Sequence, residues 1–437
     1  MDILRKYFRF QELGTDFRRE VVGGLTTFVT MAYIVAVNPA ILSDALGREL
    51  FPELLFATCV SAAIATLIMG IGANYPFALA PGMGLNAFFA YTVVLGKGVH
   101  SDLALGVVLA SGVIFTLLSL AKIREAIINA IPDVLKQATA GGIGLFIAFI
   151  GLKNAGIVID DPETLVTLGD TRSGAVGLSL LGIVGIGVLL VRGFRGSILI
   201  GVLGVTLLGI VVGASPTPDR IFSLPAWPER LFGVAVLNFT AAFDIALIGF
   251  VFAFLFVDLF DTMGTLVGLS ERTGFLDEQG RLPRANRALL ADSFGTMVGA
   301  VFGTSTVTTY IESAAGTSVG ARTGFASVVT GILFLLGLFV TPLVASIPAF
   351  ATAPALIVVG VSMMASVVRI RWSDVSDALP AFLTIIAMPL TFSIANGVAL
   401  GLVTYPIVKR VGGRGEEVHP LLDLLAVVFI ARYLFMA

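Results

Sequence analysis

Apolar stretches long enough to cross a lipid bilayer recur along this chain from residue 22 to residue 436. A hydrocarbon layer about 30 Å thick is crossed by a helix of about 20 mostly apolar residues. The chain offers such stretches at 22–42, 53–72, 77–94, 103–121, 126–152, 174–192, 196–213, 244–267, 291–303, 305–319, 323–341, 343–367, 378–395 and 396–411. Of its 437 residues, 57% are hydrophobic and 13% charged. A soluble domain carries about 25% charged residues, so lipid must take up much of this surface. The chain therefore reads as an all-α polytopic membrane protein of fourteen spans. A further apolar stretch, 420–436, suits either a short span or a helix lying on the surface.

Basic residues test the count, because inner loops carry the excess of Lys and Arg. With the N-terminus inside, twenty basic residues fall on the inner side, among them Arg5, Lys6, Lys122, Arg124, Arg281, Arg371 and Lys409. Six fall outside: Arg48, Lys97, Lys153, Arg172, Arg220 and Arg230. One missed span would invert the parity beyond it and blur this bias. The expected location is the cell (plasma or inner) membrane, multi-pass, with both termini cytoplasmic. Segment 1–21 is basic and aromatic and reads as an interfacial helix; 412–437 reads as a C-terminal helix.

Composition also excludes partners and cofactors. A net charge of −2 gives no basic field for nucleic acid. The single cysteine, Cys59, permits no disulfide within the chain, and the two histidines, His100 and His419, sit in loops. No metal or organic cofactor is expected, and no histidine relay inside the membrane.

Segment 214–243, with Pro216, Pro218, Pro225 and Pro228, lies at the midpoint and reads as an outer linker between two halves. Seven spans per half is odd, so the second half enters the membrane from the opposite side. That is an inverted-topology repeat. The fifth and twelfth spans resemble each other, as do the seventh and fourteenth.

In such repeats, matched interrupted spans point to the binding site. Span three carries Pro81, Gly82, Gly84 and Asn86 midway, and span ten carries Thr306, Val307, Thr308 and Thr309 before Glu312. Each is expected to be half extended and half helical, shielded by protein. Span eight carries Asp258 and Asp261, three residues apart on one helix face. An acid at membrane depth is a functional candidate by default. Asp261 and Glu312 are the leading candidates for binding and proton coupling; Asp258 is a second coupling candidate or a structural cap. Asp244 reads as interfacial and Asp292 as structural. Carboxylates disfavour anions and suit a neutral heterocycle with ring N–H donors, while Asn86 supplies both a donor and an acceptor. Tyr310, Phe88, Phe89 and Tyr33 are candidate stacking rings.

The motifs TTFVTMAYIVAVNP in span one, APGMGLNAFFAY in span three, FVDLFDTMGTLVG in span eight and TTYIESAAG in span ten resemble the AzgA-like purine permeases of the nucleobase–ascorbate transporter superfamily. The resemblance implies a uracil-permease-like fold with short strands in spans three and ten. It implies a core domain from 22–121 and 244–341 and a gate domain from 122–213 and 342–411. It also implies proton-coupled import of adenine, guanine or hypoxanthine by an elevator motion. By motif, Asp261 falls at the family's span-eight acid, Glu312 at its span-ten acid and Asn86 at its span-three polar position. Thr265 stands where the uracil permease carries a histidine, so that histidine's role does not transfer; Thr265 is kept as a candidate substrate contact. A homodimer is possible by analogy, and sodium involvement stays open. An anion exchanger of the same architecture is the alternative. An enzyme is not expected, because the YD and GxGD patterns of membrane aspartyl proteases are missing.

Overall fold

The computed structural model describes residues 2–121, 130–277 and 282–435, with backbone alone at 263, 264, 267, 271, 272 and 432–435. Lys122, Arg124 and Arg281, counted above as inner charges, lie outside the described residues, as does the start of the expected fifth span at 126–129.

Fourteen elements follow in the order that hydropathy predicts. Span one is Phe17–Leu46, interrupted at Ala32 and Tyr33. Span two is Phe51–Ile68, continuing to Ala73. Span three is a strand, Leu79–Pro81, followed by the helix Met83–Gly96. Spans four to seven are Ser101–Leu120, Asp133–Asn154, Gly174–Val191 and Ser197–Val211. Spans eight and nine are Ile248–Thr273 and Ala285–Phe302. Span ten is a strand, Val307–Thr309, followed by the helix Ser313–Ser318. Spans eleven to fourteen are Gly324–Gly337, Ala349–Met364, Val375–Leu390 and Ile394–Val411. Seven of the described helices are long and apolar enough to cross a membrane.

Several boundaries differ from expectation: span one starts at Phe17 rather than 22, the helix of span five at Asp133 rather than 126, and that of span twelve at Ala349 rather than 343. Span eight is shifted towards its C-terminal end. Span nine starts six residues early, because its polar first turn, Ala285-Asn286-Arg287, masks a helix already under way. The outer loop after span five also holds a hairpin, Val158–Asp161 paired with Leu165–Leu168.

Spans one and two pack against span eleven, and spans two and four against span nine. Span five lies on spans twelve and thirteen, span six on spans seven and twelve, and span fourteen on span thirteen. Without a hydrophobic drive between helices in lipid, small residues that let backbones approach carry these contacts. Spans five and twelve cross at Gly144 and Gly360: a Cβ on either would lie 2.6 Å or 2.4 Å from the other's carbonyl oxygen. Spans one and ten meet at Gly316, where a Cβ would lie 2.5 Å from Gly23 O.

The strands of spans three and ten pair antiparallel, with Leu79 opposite Thr309, Ala80 opposite Thr308 and Pro81 opposite Val307. Equivalent elements of an inverted repeat must run in opposite directions, and these do. Each strand is also clamped by the same device. Thr66 Oγ1 of span two accepts from Leu79 N and donates to Leu79 O, both at 2.9 Å. Thr296 Oγ1 of span nine accepts from Val307 N at 3.3 Å and donates to Val307 O at 3.1 Å. Backbone groups at membrane depth must be satisfied internally, and a threonine from the matching helix of each half does this.

At the chain's end, the helix Pro420–Phe435 lies against span fourteen. Leu422, Ala426 and Phe429 form its buried face, and Phe429 reaches Phe256 of span eight, ring centroids 6.0 Å apart. An ion network ties this end together. Lys409, fully buried, contacts Asp377 Oδ1 and Glu417 Oε2, each at 2.8 Å. Arg371 reaches Asp377 Oδ2 at 2.6 Å, and Arg414 reaches Asp374 at 2.6 Å. Hydrogen bonds from Ser376 and Arg414 hold the Asp374 carboxyl well below the usual carboxylate range. At the other end, Phe8, Phe10 and Phe17 gather around Phe325 of span eleven.

Candidate substrate site

The site is built where the paired half-spans turn back into helix. β-Branched residues at 306–309 favour extended backbone, and Pro81 lacks the N–H that a helix would need. Extension ends at Gly82, whose N–H still donates to Thr306 O at 2.9 Å before the helix Met83–Gly96 begins. On the other strand, Tyr310 N donates to Ala78 O at 2.9 Å, and Tyr310 Oη donates to Pro81 O. Glu312 follows, immediately ahead of the helix Ser313–Ser318 and without a side-chain capping bond to it. Two helix starts thus lie next to one two-stranded ribbon; in the shorter one Ser313 N, Ala314 N and Ala315 N are already bonded to Tyr310 O, Ile311 O and Glu312 O.

Span eight brings its acids to this ribbon. A Cβ on Gly82 would lie 3.7 Å from Asp261 Oδ2 and 2.8 Å from Thr308 Cγ2. Gly82 therefore leaves room for the Thr308 methyl, while Asp261 is at ordinary contact distance. Asp261 lies within electrostatic range of Glu312 and Asp292. Among the described residues no side chain donates to Asp261. Glu312 Oε1 accepts from Tyr33 Oη at 2.7 Å.

Four carboxylates fall into two layers. Asp261 and Glu312 are only half-buried, whereas Asp258 and Asp292 are 2% and 0% exposed. The hidden pair is joined through Thr262 Oγ1, which lies 3.3 Å from Asp258 Oδ1, 3.0 Å from Asp292 Oδ2 and 2.9 Å from Thr308 Oγ1. One hydroxyl hydrogen serves one acceptor at a time, so Thr262 links the hidden acids to the ribbon that carries Glu312. Exposure separates Asp261 from Asp258, which sequence spacing alone does not do.

The remaining candidates are placed as follows. Asn86 is fully buried; its Oδ1 accepts from Ser305 Oγ, and its Nδ2 has no partner among the described residues. Thr265 is half-buried, one turn beyond Asp261. Phe88 packs edge-on against Phe254 of span eight, centroids 4.9 Å apart, and Phe89 is fully buried. Tyr310 holds the ribbon together through its hydroxyl, and Tyr33 touches Glu312 through its hydroxyl, so neither is a bare stacking ring. Asp244 is exposed just ahead of span eight. Sequence reasoning set Asp292 aside because it placed it at the end of a span; in fact it sits in the third turn of span nine. An acid seven residues inside a helix, rather than at its start, was the missed signal.

Comparison with known proteins agrees with this architecture. Residues 18–400 match the Permease family, Xan_ur_permease. The chain is 46% identical to the guanine/hypoxanthine permease PbuG of Bacillus subtilis, over 99% of this chain and 100% of that protein. It is 41% identical to the adenine permease AdeP of Escherichia coli, over 99% and 96%. Among solved structures, the transmembrane domain of the cyanobacterial bicarbonate transporter BicA superposes with a TM-score of 0.65 at 17% identity, covering 88% of this chain and 97% of that one. At that identity the likeness speaks for the fold alone. The match across residues 18–400 and the full-length relatives make the chain a member of the xanthine/uracil permease family.

Proposed function

We propose that this chain is a proton-coupled symporter that imports purine nucleobases. Nucleobase transport follows from its relatives, two of which are permeases for guanine/hypoxanthine and for adenine. The finer reading rests on one observation: Asp261 and Glu312, half-buried beside the ribbon, are the carboxylates open to a ligand, while Asp258 and Asp292 lie behind them. A purine offers ring N–H groups to a carboxylate and ring acceptors to a carboxylic acid. A carboxylate that takes up a proton outside and releases it inside couples the gradient to the ring that it holds. Asn86 Nδ2, with its hydrogens unspent, supplies a donor to a ring acceptor.

The packing supports a moving part and a fixed part. Spans one to four with eight to eleven would be the core that carries the site; spans five to seven with twelve to fourteen would be the gate against which it slides. The same fold serves bicarbonate transport in BicA, but two acids at the ligand position repel anions. Proteoliposomes with an inward proton gradient and labelled hypoxanthine or adenine test the reading. Asp261→Asn and Glu312→Gln are expected to abolish uptake while the protein stays folded. Normal gradient-driven uptake in both variants would overturn it.

A further inference from the structure

Tyr33 stands at the break in span one, between the helices Phe17–Met31 and Ile34–Leu46, and is 1% exposed. Its neighbours close the turn with short-range bonds, Val35 N to Ala32 O at 3.1 Å and Ala36 N to Tyr33 O at 3.0 Å. Tyr33 keeps helical backbone angles, φ −56° and ψ −25°, and its side chain reaches span ten. There Tyr33 Oη donates to Glu312 Oε1 at 2.7 Å, a contact between residues 279 apart in sequence and in opposite halves. Spans one and ten approach closely next to it. A Cβ on Gly316 would lie 2.1 Å from Thr27 Oγ1 and 2.5 Å from Gly23 O, so the two backbones are already in contact.

The other ionisable groups around Glu312 cannot take over this bond. Tyr310, on the same strand, has its hydroxyl bonded to Pro81 O. Asp261 faces it from span eight, with Asp292 beyond Asp261, and both are acids. A tyrosyl hydroxyl has one hydrogen, and a carboxyl group has two oxygens. While Oε1 accepts from Tyr33, a proton added to Glu312 finds its place on Oε2.

We infer that Tyr33 is a positioning residue: it holds Glu312 Oε1 as an acceptor and so directs the coupling proton and the purine to Oε2. The inference rests on Glu312 being the coupling acid. The transported proton then binds and leaves at one oxygen, in a fixed direction relative to the ring. Tyr33 also ties the orientation of Glu312 to the break in span one, so any movement of that break reaches the acid.

The test measures hypoxanthine uptake against pH in proteoliposomes for the wild type, Tyr33→Phe and protein carrying 3-fluorotyrosine at position 33. A donor to a charged acceptor is lost in Tyr33→Phe, and the ionised form of Glu312 loses its support. The pH of half-maximal uptake should rise by about one unit, about tenfold in proton activity, with the acidic plateau retained. Fluorotyrosine, a stronger donor, should move the midpoint the other way. Profiles unchanged in both proteins, or moved in the same direction, would overturn the inference. If Tyr33→Phe is not recovered folded, the fluorotyrosine profile decides alone. Glu312→Gln separates the two levels: if it keeps pH-dependent uptake, the coupling reading fails; if it abolishes uptake while both Tyr33 proteins behave as wild type, only the role of Tyr33 fails.

Discussion

Replacing Lys409 with methionine should destabilise the protein through one buried charge. Lys409 has no exposed surface and contacts Asp377 Oδ1 and Glu417 Oε2 at 2.8 Å each, while Asp377 is 3% exposed. Breaking a buried ion pair by removing one partner costs about 3–5 kcal/mol, because the other charge is left uncompensated. Arg371 still reaches Asp377 Oδ2 at 2.6 Å, so the lower figure, about 3 kcal/mol, applies. With an unfolding entropy of about 2.1 cal/mol/K per residue over this length, the midpoint should fall by about 3 °C. Adding Asp377→Asn removes the stranded charge. Arg371, with 67% of its side chain exposed, is then solvated by water, so the double variant should recover most of the loss. Thermal unfolding of purified protein in detergent, followed for both single variants and the double, completes the cycle. A Lys409→Met midpoint within 1 °C of wild type, or a double variant as unstable as the two singles added together, would refute the reasoning.

Two further predictions concern the ribbon and the ion network. Thr66→Val and Thr296→Val each leave both backbone groups of one strand residue without a side-chain partner, Leu79 or Val307. Each should cost about 1–3 kcal/mol and similar amounts by thermal unfolding; a large effect in one and none in the other would contradict the repeated clamp. The carboxyls of Asp374 and Glu417 are held below their ordinary range, Asp374 by Ser376 and Arg414, Glu417 by Lys409 and Arg414. A depressed folded value contributes stability above the unfolded value of about 4 and loses it as pH falls through the folded one. The attachment of segment 412–435 should therefore be unchanged from pH 8 to 5 and loosen only below about pH 4; hydrogen exchange in that segment that rises between pH 8 and 5 would contradict it.

Much of this architecture is legible in the residues because lipid is a strict solvent. Apolar runs mark the spans, and the fifteen-residue stretch at 305–319 that is rich in Thr and Ser cannot be an ordinary lipid-facing helix. Where the chain's polarity departs from the simple pattern, legibility fails. Asn286 and Arg287 open span nine with a polar turn, which hid both its start and the depth of Asp292. Lys409 counts as an inner charge by position, yet it is buried against Asp377, a partner 32 residues away that no local pattern reveals. The Tyr33 contact is a pairing across the two halves, set by the backbone approach of Gly316 to span one. The hairpin Val158–Asp161 with Leu165–Leu168 lies in an exposed loop, where hydropathy says nothing about strand pairing.

Equilibrium binding of labelled adenine, guanine and hypoxanthine to the purified protein, across pH and with competitors, tests the central claim most directly. The account predicts saturable binding to the wild type that unlabelled purines displace and sulfate and bicarbonate do not, and that Asp261→Asn and Glu312→Gln each lose. Purine binding that survives in both variants, or that anions displace, would contradict it.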